Sequence, residues 1–345
     1  MRVLAIETSC DETAVAVVER GDRHAVVAEK VKSQIPLHSR FGGVVPEIAS
    51  RTHLEVIDGL CADVLEASRF AVSDMDLISV TQGPGLIGSL LVGLSFAKAL
   101  ARTLEIPLVP VDHIRAHIES AFISHREIEY PLIALVVSGG HTSLFYQPSK
   151  FEIESIAKTR DDAVGEVMDK IAKFFGLGYP GGPILDRVYA SGDPGRFDFT
   201  FPRMSDGSDD FSFSGYKTAV LRHARVGGVD RENPAFNDLV ASFLDSVVTY
   251  LLLNTRKAVE IRNARSVVVA GGVSRNSLLR ERFRAGFERM NIPLYLPEAR
   301  YCTDNAAMIG WLGYEIFRAH PRADYRDLSL NAYSRSTFRE TGKHR

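Results

Sequence analysis

The chain has 345 residues, of which 45% are apolar and 24% are charged, values close to the averages for soluble globular proteins. This composition excludes a largely disordered or fibrous chain, and the length predicts two domains. The formal net charge is −2. The chain as a whole therefore does not attract nucleic acid, and contact with RNA would depend on local basic clusters or on a second subunit.

The pattern of cysteines and apolar runs indicates a cytoplasmic protein with no membrane association. Cys10, Cys61 and Cys302 lack Cys-x-x-Cys spacing, which argues against a disulfide framework and against a thiolate zinc site. The first residues lack the features of a signal or transit peptide. The most apolar stretch, 86–101, contains glycines, serines and Lys98, so it predicts a buried helix rather than a membrane span.

The first third of the chain predicts an antiparallel meander followed by alternating helices and strands. β-rich runs separated by short polar turns predict the meander. The predicted elements are strands at residues 3–7, 14–19 and 25–31, a helix at 46–67, a strand at 77–81, a helix ending at 104, a strand at 108–111 and a helix at 113–124.

The same order of elements then begins again. It comprises strands at 132–138, 142–146 and 151–157, a helix at 163–175, long helices within 216–261, a strand at 266–270, a helix at 276–290, a strand at 294–296 and a final helix at 305–317. This repetition predicts two similar lobes, each built on a mixed sheet, with a ligand held where the strand ends converge.

The expected domain boundaries follow from this repeat. We expect an N-terminal lobe of residues 1–128 plus about 303–330, because the final helix is expected to return to it. The C-terminal lobe would span 129–302. Beyond residue 319 the chain is rich in arginine and is expected to be loosely packed, with a basic tail at 331–345.

Three glycine-bearing turns are candidates for binding a nucleotide: Gly83-Pro84-Gly85, Gly139-Gly140 and Gly271-Gly272. Each of them alone is typical of an ordinary tight turn or helix start. Glycine, however, also lets backbone amides approach phosphate oxygens. The second turn joins two strands, and the third precedes a helix whose dipole favours an anion. Walker, Gly-x-Gly-x-x-Gly and kinase motifs are absent from the sequence, so the common nucleotide folds are disfavoured.

A histidine pair is the candidate metal site. His113 and His117 are four residues apart and would lie on one face of a helix. Ile114 stands where the zinc-protease motif has glutamate. Such a pair can also be a surface or packing feature, and ligation needs a third group. Asp304 is a candidate for that group, although aspartate before a helix is equally typical of an N-cap.

Further polar residues have both functional and ordinary interpretations. Asp11 and Glu12 lie in the first hairpin turn, where acidic residues are common. Asp169 and Asp186 could accept hydrogen bonds from ribose hydroxyls, or lie on a helix surface. The run of aromatic and small residues at 211–216 is interpreted as a loop that faces a ligand. Lys217 after it could neutralise a phosphate or be solvated.

Taken together, these segments resemble the tRNA adenosine threonylcarbamoyltransferases, the TsaD family, once described as glycoproteases. The similar segments follow the family order from residue 6 to about 310: Ile6-Glu7-Thr8-Ser9-Cys10-Asp11-Glu12-Thr13, residues 42–51, Gly83-Pro84-Gly85, His113-x-x-x-His117, residues 137–142, residues 161–166, residues 179–183, residues 211–218, residues 270–276 and residues 302–305. Two departures are Tyr216, where leucine is usual, and Asp112, where a second histidine is often found.

The resemblance implies an actin-like ATPase fold (ASKHA, a duplicated ribonuclease H-like fold) with two lobes and a nucleotide cleft. It also implies a metal ion, Fe²⁺ or alternatively Zn²⁺, held by His113, His117 and Asp304. The implied substrate-binding and nucleotide-binding positions are Val137, Ser138, Gly139, Gly140, His141, Asp169, Gly182, Asp186 and Asn276, with Lys217, Gly271 and Gly272 as additional candidates.

The activity implied by the resemblance is transfer of a threonylcarbamoyl group from threonylcarbamoyl-adenylate to the exocyclic amine of the adenosine 3′ of the anticodon. The tRNAs would be those that read codons beginning with A, and AMP would be released. Asp11 and Glu12 are the candidate catalytic proton acceptors, and Mg²⁺ could accompany the nucleotide. Implied partners are tRNA, an inactive TsaB-like paralogue and a small TsaE-like ATPase. Alternatives are a small-molecule kinase or ATPase of the same fold, a metalloprotease, and a non-catalytic scaffold.

Overall fold

The computed structural model describes residues 1–21, 25–336 and 338–340, with only the backbone of residues 339 and 340. The described chain forms two compact units. The first contains the described residues up to Ser124 and from Thr303 to Ser336, and the second contains His125–Cys302 and residues 338–340.

Strands and helices follow one another in nearly the predicted order. The elements before residue 125 are β1 (Arg2–Glu7), β2 (Glu12–Glu19), β3 (Ala25–Ser33), α1 (Ile35–His38), α2 (Pro46–Ser68), β4 (Leu77–Gly83), α3 (Ile87–Leu104), β5 (Leu108–Asp112), α4 (His113–Glu119) and α5 (Ala121–Ser124).

The remaining elements begin with β6 (Leu132–Val137), β7 (Thr142–Ser149), β8 (Glu152–Lys158), α6 (Val164–Phe174), α7 (Gly181–Tyr189), α8 (Ser214–Gly227) and α9 (Phe236–Arg262). They continue with β9 (Ser266–Ala270), α10 (Ser277–Glu288), β10 (Leu294–Tyr295), α11 (Ala306–Ala319) and β11 (Arg339–Glu340).

The sheet of the first unit has the strand order β3-β2-β1-β4-β5. The first three strands are antiparallel, as predicted, and β1, β4 and β5 are parallel. Alternate residues of β1 point to opposite faces. Leu4 and Ile6 pack in the core that includes residues of α2 and α3, whereas Val3 and Ala5 pack in the core that includes residues of α11. The sheet is therefore covered on both faces, which explains the nearly continuous apolar runs of β1 and β2.

The sheet of the second unit repeats this topology. Its strand order is β10-β9-β6-β7-β8-β11. Strands β6, β7 and β8 are antiparallel, and β6, β9 and β10 are parallel. The part β8-β7-β6-β9-β10 therefore corresponds strand for strand to β3-β2-β1-β4-β5, and the prediction of two mixed sheets with the same order is confirmed.

Helices α3 and α9 are long and apolar enough to cross a membrane by length and composition alone. Helix α3 packs one face in a protein core, with Leu90 and Leu94 buried. Helix α9 is buried on most sides in its first half, where all residues from Leu239 to Leu244 are buried. Residues 87–104 therefore form a helix that buries one face against the sheet and exposes the other, in place of the buried helix predicted for 86–101.

The interpretation of residues 211–216 as a ligand-facing loop is wrong for the aromatic side chains. Phe211, Phe213 and Tyr216 are buried in the core of the second unit. Phe211 and Phe213 stack with ring centroids 5.9 Å apart, and both contact Tyr250 of α9. The small residues between them let the chain turn while alternate aromatics point inward, a pattern that composition alone does not distinguish from a binding loop.

The expectation of loose packing beyond residue 319 is wrong for residues 328–332, although residues 320–324 are exposed. Leu328, Leu330 and Ala332 pack against the core of the first unit. These residues alternate with polar ones, which is the period of an extended segment with one buried side. The prediction considered only the abundance of arginine in this region and did not consider the alternation of apolar and polar residues at 328–332.

Candidate metal centre and glycine-lined site

Two histidines and one carboxylate converge in the first unit. Helix α4 begins directly after β5, and one helical turn brings the His113 and His117 rings to a centroid distance of 4.6 Å. Asp304 Oδ1 lies 3.2 Å from Nε2 of His117 and 3.5 Å from Nε2 of His113. The ligand atoms of the three residues lie within 4.8 Å of one another. The three residues therefore form a group that can hold one metal ion.

Asp304 does not cap the last helix. Asn305 is the N-cap of α11, since its side-chain oxygen accepts a hydrogen bond of 2.9 Å from the backbone amide of Met308. The side-chain amide of Asn305 donates to the carbonyl of Thr303. Because Asn305 caps the helix, the Asp304 carboxylate is directed towards the histidines instead.

Glu7 is a site residue that the sequence analysis missed. It ends the buried strand β1, and its Oε2 lies 3.0 Å from Nδ1 of His113. The other oxygen accepts a hydrogen bond from the Ser9 amide, and Thr81 also donates to the carboxylate. A carboxylate behind a ligating histidine fixes the ring orientation and raises its basicity. An acidic residue ending an apolar strand was the available signal.

The charges around the histidines suit a bound cation. Burial opposes protonation of His113, but Glu7 and Asp304 outweigh it and raise the pKa of His113 to about 9. Burial and the neighbouring charge of His113 lower the pKa of His117. His117 Nδ1 is buried without a hydrogen-bond partner in the described part of the chain. Two imidazole nitrogens and one carboxylate oxygen are a donor set for Fe²⁺ or Zn²⁺, so the residues fit such an ion.

Asp11 lies in the turn between β1 and β2 and Glu12 begins β2, and the charge of Asp304 acts on both carboxyls. Burial raises the pKa of both carboxyls, and the charge of Asp304 raises it further, to about 9 for Glu12. His53 holds this turn, because its Nε2 lies 2.9 Å from the Cys10 carbonyl oxygen. A cation bound to Asp304 would offset the charge of that carboxylate and so lower the pKa of both carboxyls.

The raised pKa of His113 predicts how cation binding depends on pH. A ring nitrogen that binds a metal cannot carry a proton, so below about pH 9 a cation must displace a proton from His113. We expect the apparent affinity to rise from pH 6 to pH 8, by up to about tenfold per pH unit from this group, and to level off above about pH 9. Calorimetric titration with Co²⁺ in two buffers of different ionisation enthalpy measures both affinity and proton release. An affinity that stays flat over this range would contradict the prediction.

Glu7→Gln is expected to weaken cation binding while the chain remains folded. The amide keeps the shape of the side chain but removes the charge that orients His113, and loss of such a partner typically costs about 10–100-fold in metal affinity. Glu19→Gln is the matched control, because Glu19 lies half-buried at the far end of β2, where its Oε1 is 3.9 Å from Arg2 Nε. Equal affinities of the two variants for Co²⁺ would show that Glu7 does not support the histidine.

The Ser138–His141 turn of the second unit joins β6 to β7. The Ser138 amide donates to the His141 carbonyl at 2.8 Å, and the His141 amide donates to Ser138 Oγ at 3.1 Å, which closes the turn. Gly139 and Gly140 are exposed at its tip, and within the described residues a Cβ on either would meet no atom within 4 Å. The turn therefore presents two small, accessible backbone positions where a phosphate can approach.

The other candidate residues of this unit are connected to the turn through a series of contacts. On one side, the amide of Gly165, at the start of α6, donates to the Ser138 carbonyl at 3.3 Å. One turn further along α6, Asp169 Oδ1 accepts a hydrogen bond of 2.6 Å from the Gly181 amide. Gly181 begins α7, and Gly182 is its second residue.

On the other side, α7 contacts the loop before α10. Asp186 of α7 accepts a hydrogen bond of 2.9 Å from Asn276 Nδ2, and Asn276 caps α10. Gly271, before Gly272, approaches so closely that a Cβ there would lie 2.3 Å from the Val137 carbonyl oxygen. The glycine-lined site is our name for Val137–His141, Asp169, Gly182, Asp186, Gly271, Gly272 and Asn276.

Two other candidates do not belong to the glycine-lined site as the contacts define it. Lys217 Nζ lies 3.5 Å from Asp162 Oδ2, so the ammonium group has a carboxylate partner in the protein. The Gly83–Gly85 loop belongs to the first unit, where a Cβ on Gly85 would lie 2.5 Å from the Ser9 carbonyl oxygen. This glycine is explained by its close approach to the turn that carries Asp11.

Comparison with known proteins identifies the family. The sequence model of the TsaD family, described as tRNA N6-adenosine threonylcarbamoyltransferase, matches residues 25–311. The chain belongs to this family. Relatives with that description include the protein of Clostridium kluyveri, 44% identical over 333 residues that cover 96% of each chain. The protein of Symbiobacterium thermophilum is 48% identical, covering 96% of this chain and 95% of the relative.

Solved structures with low sequence identity confirm the actin-like ATPase fold expected for the family. HypF of T. kodakarensis superposes with a TM-score of 0.63 at 14% identity, covering 95% of this chain and 49% of that one. Component A of the Acidaminococcus fermentans (R)-2-hydroxyglutaryl-CoA dehydratase gives a TM-score of 0.53 at 13% identity, covering 92% and 98%. At these identities the likeness concerns the fold alone.

Proposed function

We propose that the chain is a tRNA N6-adenosine threonylcarbamoyltransferase. It transfers a threonylcarbamoyl group from threonylcarbamoyl-adenylate to the exocyclic amine of the adenosine 3′ of the anticodon, in tRNAs that read codons beginning with A, and releases AMP. Membership of the family over residues 25–311 carries this proposal. The convergence of His113, His117 and Asp304 supports an active enzyme rather than a non-catalytic scaffold.

The reaction requires orientation and charge stabilisation more than a strong nucleophile on the protein. The donor is a mixed anhydride with a good leaving group, whereas the adenine amine is a poor nucleophile because its lone pair is delocalised into the ring. The N6–carbonyl bond forms, the carbonyl–phosphate bond breaks, and the amine loses one proton. Holding the two reactants together and accepting that proton are the tasks of the protein.

The proposal assigns each of these tasks to named residues. His113, His117 and Asp304 would hold Fe²⁺, or alternatively Zn²⁺, which as a Lewis acid orients and polarises the donor when bound. The backbone at Gly139 and Gly140 receives the phosphate of the adenylate, as glycine-rich turns do for anions. Asp11 or Glu12 accepts the proton from the amine.

The remaining substrate contacts belong to the glycine-lined site. Val137, Ser138 and His141 form the phosphate turn with the two glycines, and Asp169 and Asp186 accept hydrogen bonds from the ribose. Gly182, Gly271, Gly272 and Asn276 leave room for the nucleoside. Lys217 is a weaker candidate because its ammonium group is already paired with Asp162. Mg²⁺ accompanies the nucleotide where a polyphosphate is bound.

The partners are inferred from the same family membership. tRNA is the acceptor, and the net charge of −2 favours help from other subunits in binding it. An inactive TsaB-like paralogue and a small TsaE-like ATPase are the proposed subunits, and the location is cytoplasmic. The functional lobes are residues 1–128 with about 303–330, and residues 129–302, followed by a basic tail at 331–345.

Reconstitution tests this proposal. Purified chain, with and without the two partner proteins, is incubated with preformed threonylcarbamoyl-adenylate and tRNA. We expect threonylcarbamoyladenosine in the nucleoside digest, one AMP per modified adenosine, and loss of both products after chelation, with recovery on adding Fe²⁺ or Zn²⁺. Stoichiometric phosphorylation of a metabolite without tRNA modification would favour the kinase alternative. Metal-dependent peptide cleavage would favour the protease.

A further inference from the structure

A short segment near the C-terminus contacts the residue that begins the metal-ligand helix. We define the strap as residues 328–336. Within the first unit, the Tyr333 hydroxyl donates a hydrogen bond of 2.8 Å to Asp112 Oδ2, and Ser336 Oγ donates to the same oxygen at 3.1 Å. Asp112 directly precedes His113. The strap therefore bonds the residue that precedes a proposed metal ligand, whereas the ligand itself is hydrogen-bonded to Ser9 and Glu7.

Asp112 has a defined task in α4. Its Oδ1 accepts a hydrogen bond of 3.0 Å from the backbone amide of Arg115. Asp112 is therefore the N-cap of the helix. A cap fixes the direction in which a helix leaves the preceding strand. This matters in a helix of seven residues, because His113 lies in its first turn and His117 one turn later. Oδ1 of Asp112 thus accepts a hydrogen bond from the helix, and Oδ2 accepts hydrogen bonds from the strap.

The strap is itself anchored at several points away from Asp112. The Tyr333 amide donates to the Gln82 carbonyl at 3.2 Å, and Gln82 Nε2 donates to the Asn331 carbonyl at 2.8 Å. Lys98 Nζ donates to the Leu330 carbonyl. A Cβ on Gly83 would lie 2.3 Å from the Tyr333 carbonyl oxygen, so the chains are in close contact there. Tyr333 therefore presents its hydroxyl from a fixed backbone.

We propose that Tyr333 and Ser336 are positioning residues for the metal centre, acting through Asp112. By holding the carboxylate of Asp112 in its capping orientation, they set the first turn of α4 and with it the directions of His113 and His117. Asp304 and the strap both lie in the C-terminal part of the first unit, on either side of α11. This part of the chain thus supplies one ligand directly and orients the other two. The inference rests on the metal centre of the proposed function.

The decisive variant is Tyr333→Phe, which removes one hydroxyl and keeps the ring. Its matched control is Tyr325→Phe, because the Tyr325 hydroxyl also makes one hydrogen bond inside the first unit, to the Ile316 carbonyl at 3.1 Å. Tyr325 is not among the hydrogen-bond partners of Asp112, which are Arg115, Tyr333 and Ser336. Ser336→Ala is a second, milder variant of the strap. Full-length proteins are freed of metal and titrated with Co²⁺, whose visible spectrum reports the ligand geometry.

We expect Tyr333→Phe to raise the Kd for Co²⁺ about 3–10-fold, as loss of a hydrogen bond to a charged group that orients a ligand helix. The Co²⁺ spectrum should change, and Ser336→Ala should produce a smaller shift in the same direction. Tyr325→Phe should stay within about twofold of the parent. The melting temperatures of the metal-free Tyr333→Phe and Tyr325→Phe proteins should be similar, because a general loss of stability would affect both.

Each outcome has a distinct meaning. If the parent chain binds Co²⁺ and Tyr333→Phe binds it with the same Kd and spectrum, the positioning role is overturned and the proposed metal centre remains. If Tyr333→Phe and Tyr325→Phe weaken binding equally, the effect is one of stability and the positioning role is again overturned. If the parent chain binds no Co²⁺, the metal centre of the proposed function fails, and the positioning role with it.

Discussion

Replacing His117 or Asp304 with alanine is expected to remove the bound cation and to lower threonylcarbamoyl transfer at least about 100-fold. The two ligand atoms lie 3.2 Å apart, so loss of either leaves two of the three proposed protein ligands. Lewis-acid stabilisation is worth several kcal/mol, and each 1.36 kcal/mol corresponds to tenfold in rate. Metal content is measured by atomic emission, and transfer is measured as threonylcarbamoyladenosine in tRNA digests.

His125→Ala is the control for this prediction. His125 belongs to the second unit and bonds the Leu296 carbonyl through Nε2 at 3.1 Å, so its loss removes an imidazole without touching the metal group. It should retain both metal and activity. Normal transfer by His117→Ala protein whose metal content is confirmed to be zero would mean that the cation has no part in the reaction.

The second large effect is expected from Gly139→Ala. A methyl group at this position meets no described atom within 4 Å, and Gly139 is not among the glycines with positive φ, so the fold should tolerate it. The same methyl group would enter the space in which we propose that the adenylate phosphate binds. Removal of one such backbone contact in an oxyanion site costs about 10²–10³-fold in rate. We expect a loss of about tenfold to 100-fold in kcat/KM for threonylcarbamoyl-adenylate.

Two comparisons separate binding from folding in this experiment. Gly59→Ala adds a methyl group to an exposed position of α2, also with no described atom within 4 Å, and should leave kinetics unchanged. Gly165→Ala should instead disturb the turn itself, because its Cβ would lie 2.6 Å from the Ser138 carbonyl oxygen. The phosphate assignment is wrong if Gly139→Ala melts at the parent temperature and has the parent kcat/KM.

Local pattern was sufficient for the elements and for their repetition. The period-two apolar runs and the turn residues predicted strands close to β1, β2, β6 and β9, and the repeated order predicted two similar mixed sheets. The spacing of His113 and His117 predicted that they share a helix face, and their rings do lie 4.6 Å apart. These features depend on residues close in sequence, where backbone geometry alone fixes the spacing.

Single residue types were more ambiguous. An aspartate before a helix can cap it or turn away, and the choice between Asp304 and Asn305 depended on which side chain reaches the Met308 amide. The composition of residues 211–216 favours a binding loop, but the same residue types also occur in a core, where the structure places the aromatic side chains. Burial decides between these alternatives, and burial is a property of the packed chain.

The sequence by itself determined the elements, their repeated order and the helix that carries two imidazoles, because these follow from local periodicity. Only the tertiary structure decided which distant residues meet them. Glu7 reaches His113 across 106 residues, and Tyr333 reaches Asp112 across 221. Contacts over such separations leave no local period in the sequence. They exist because parallel strands bring their ends to one edge of a sheet and α11 returns the chain to it.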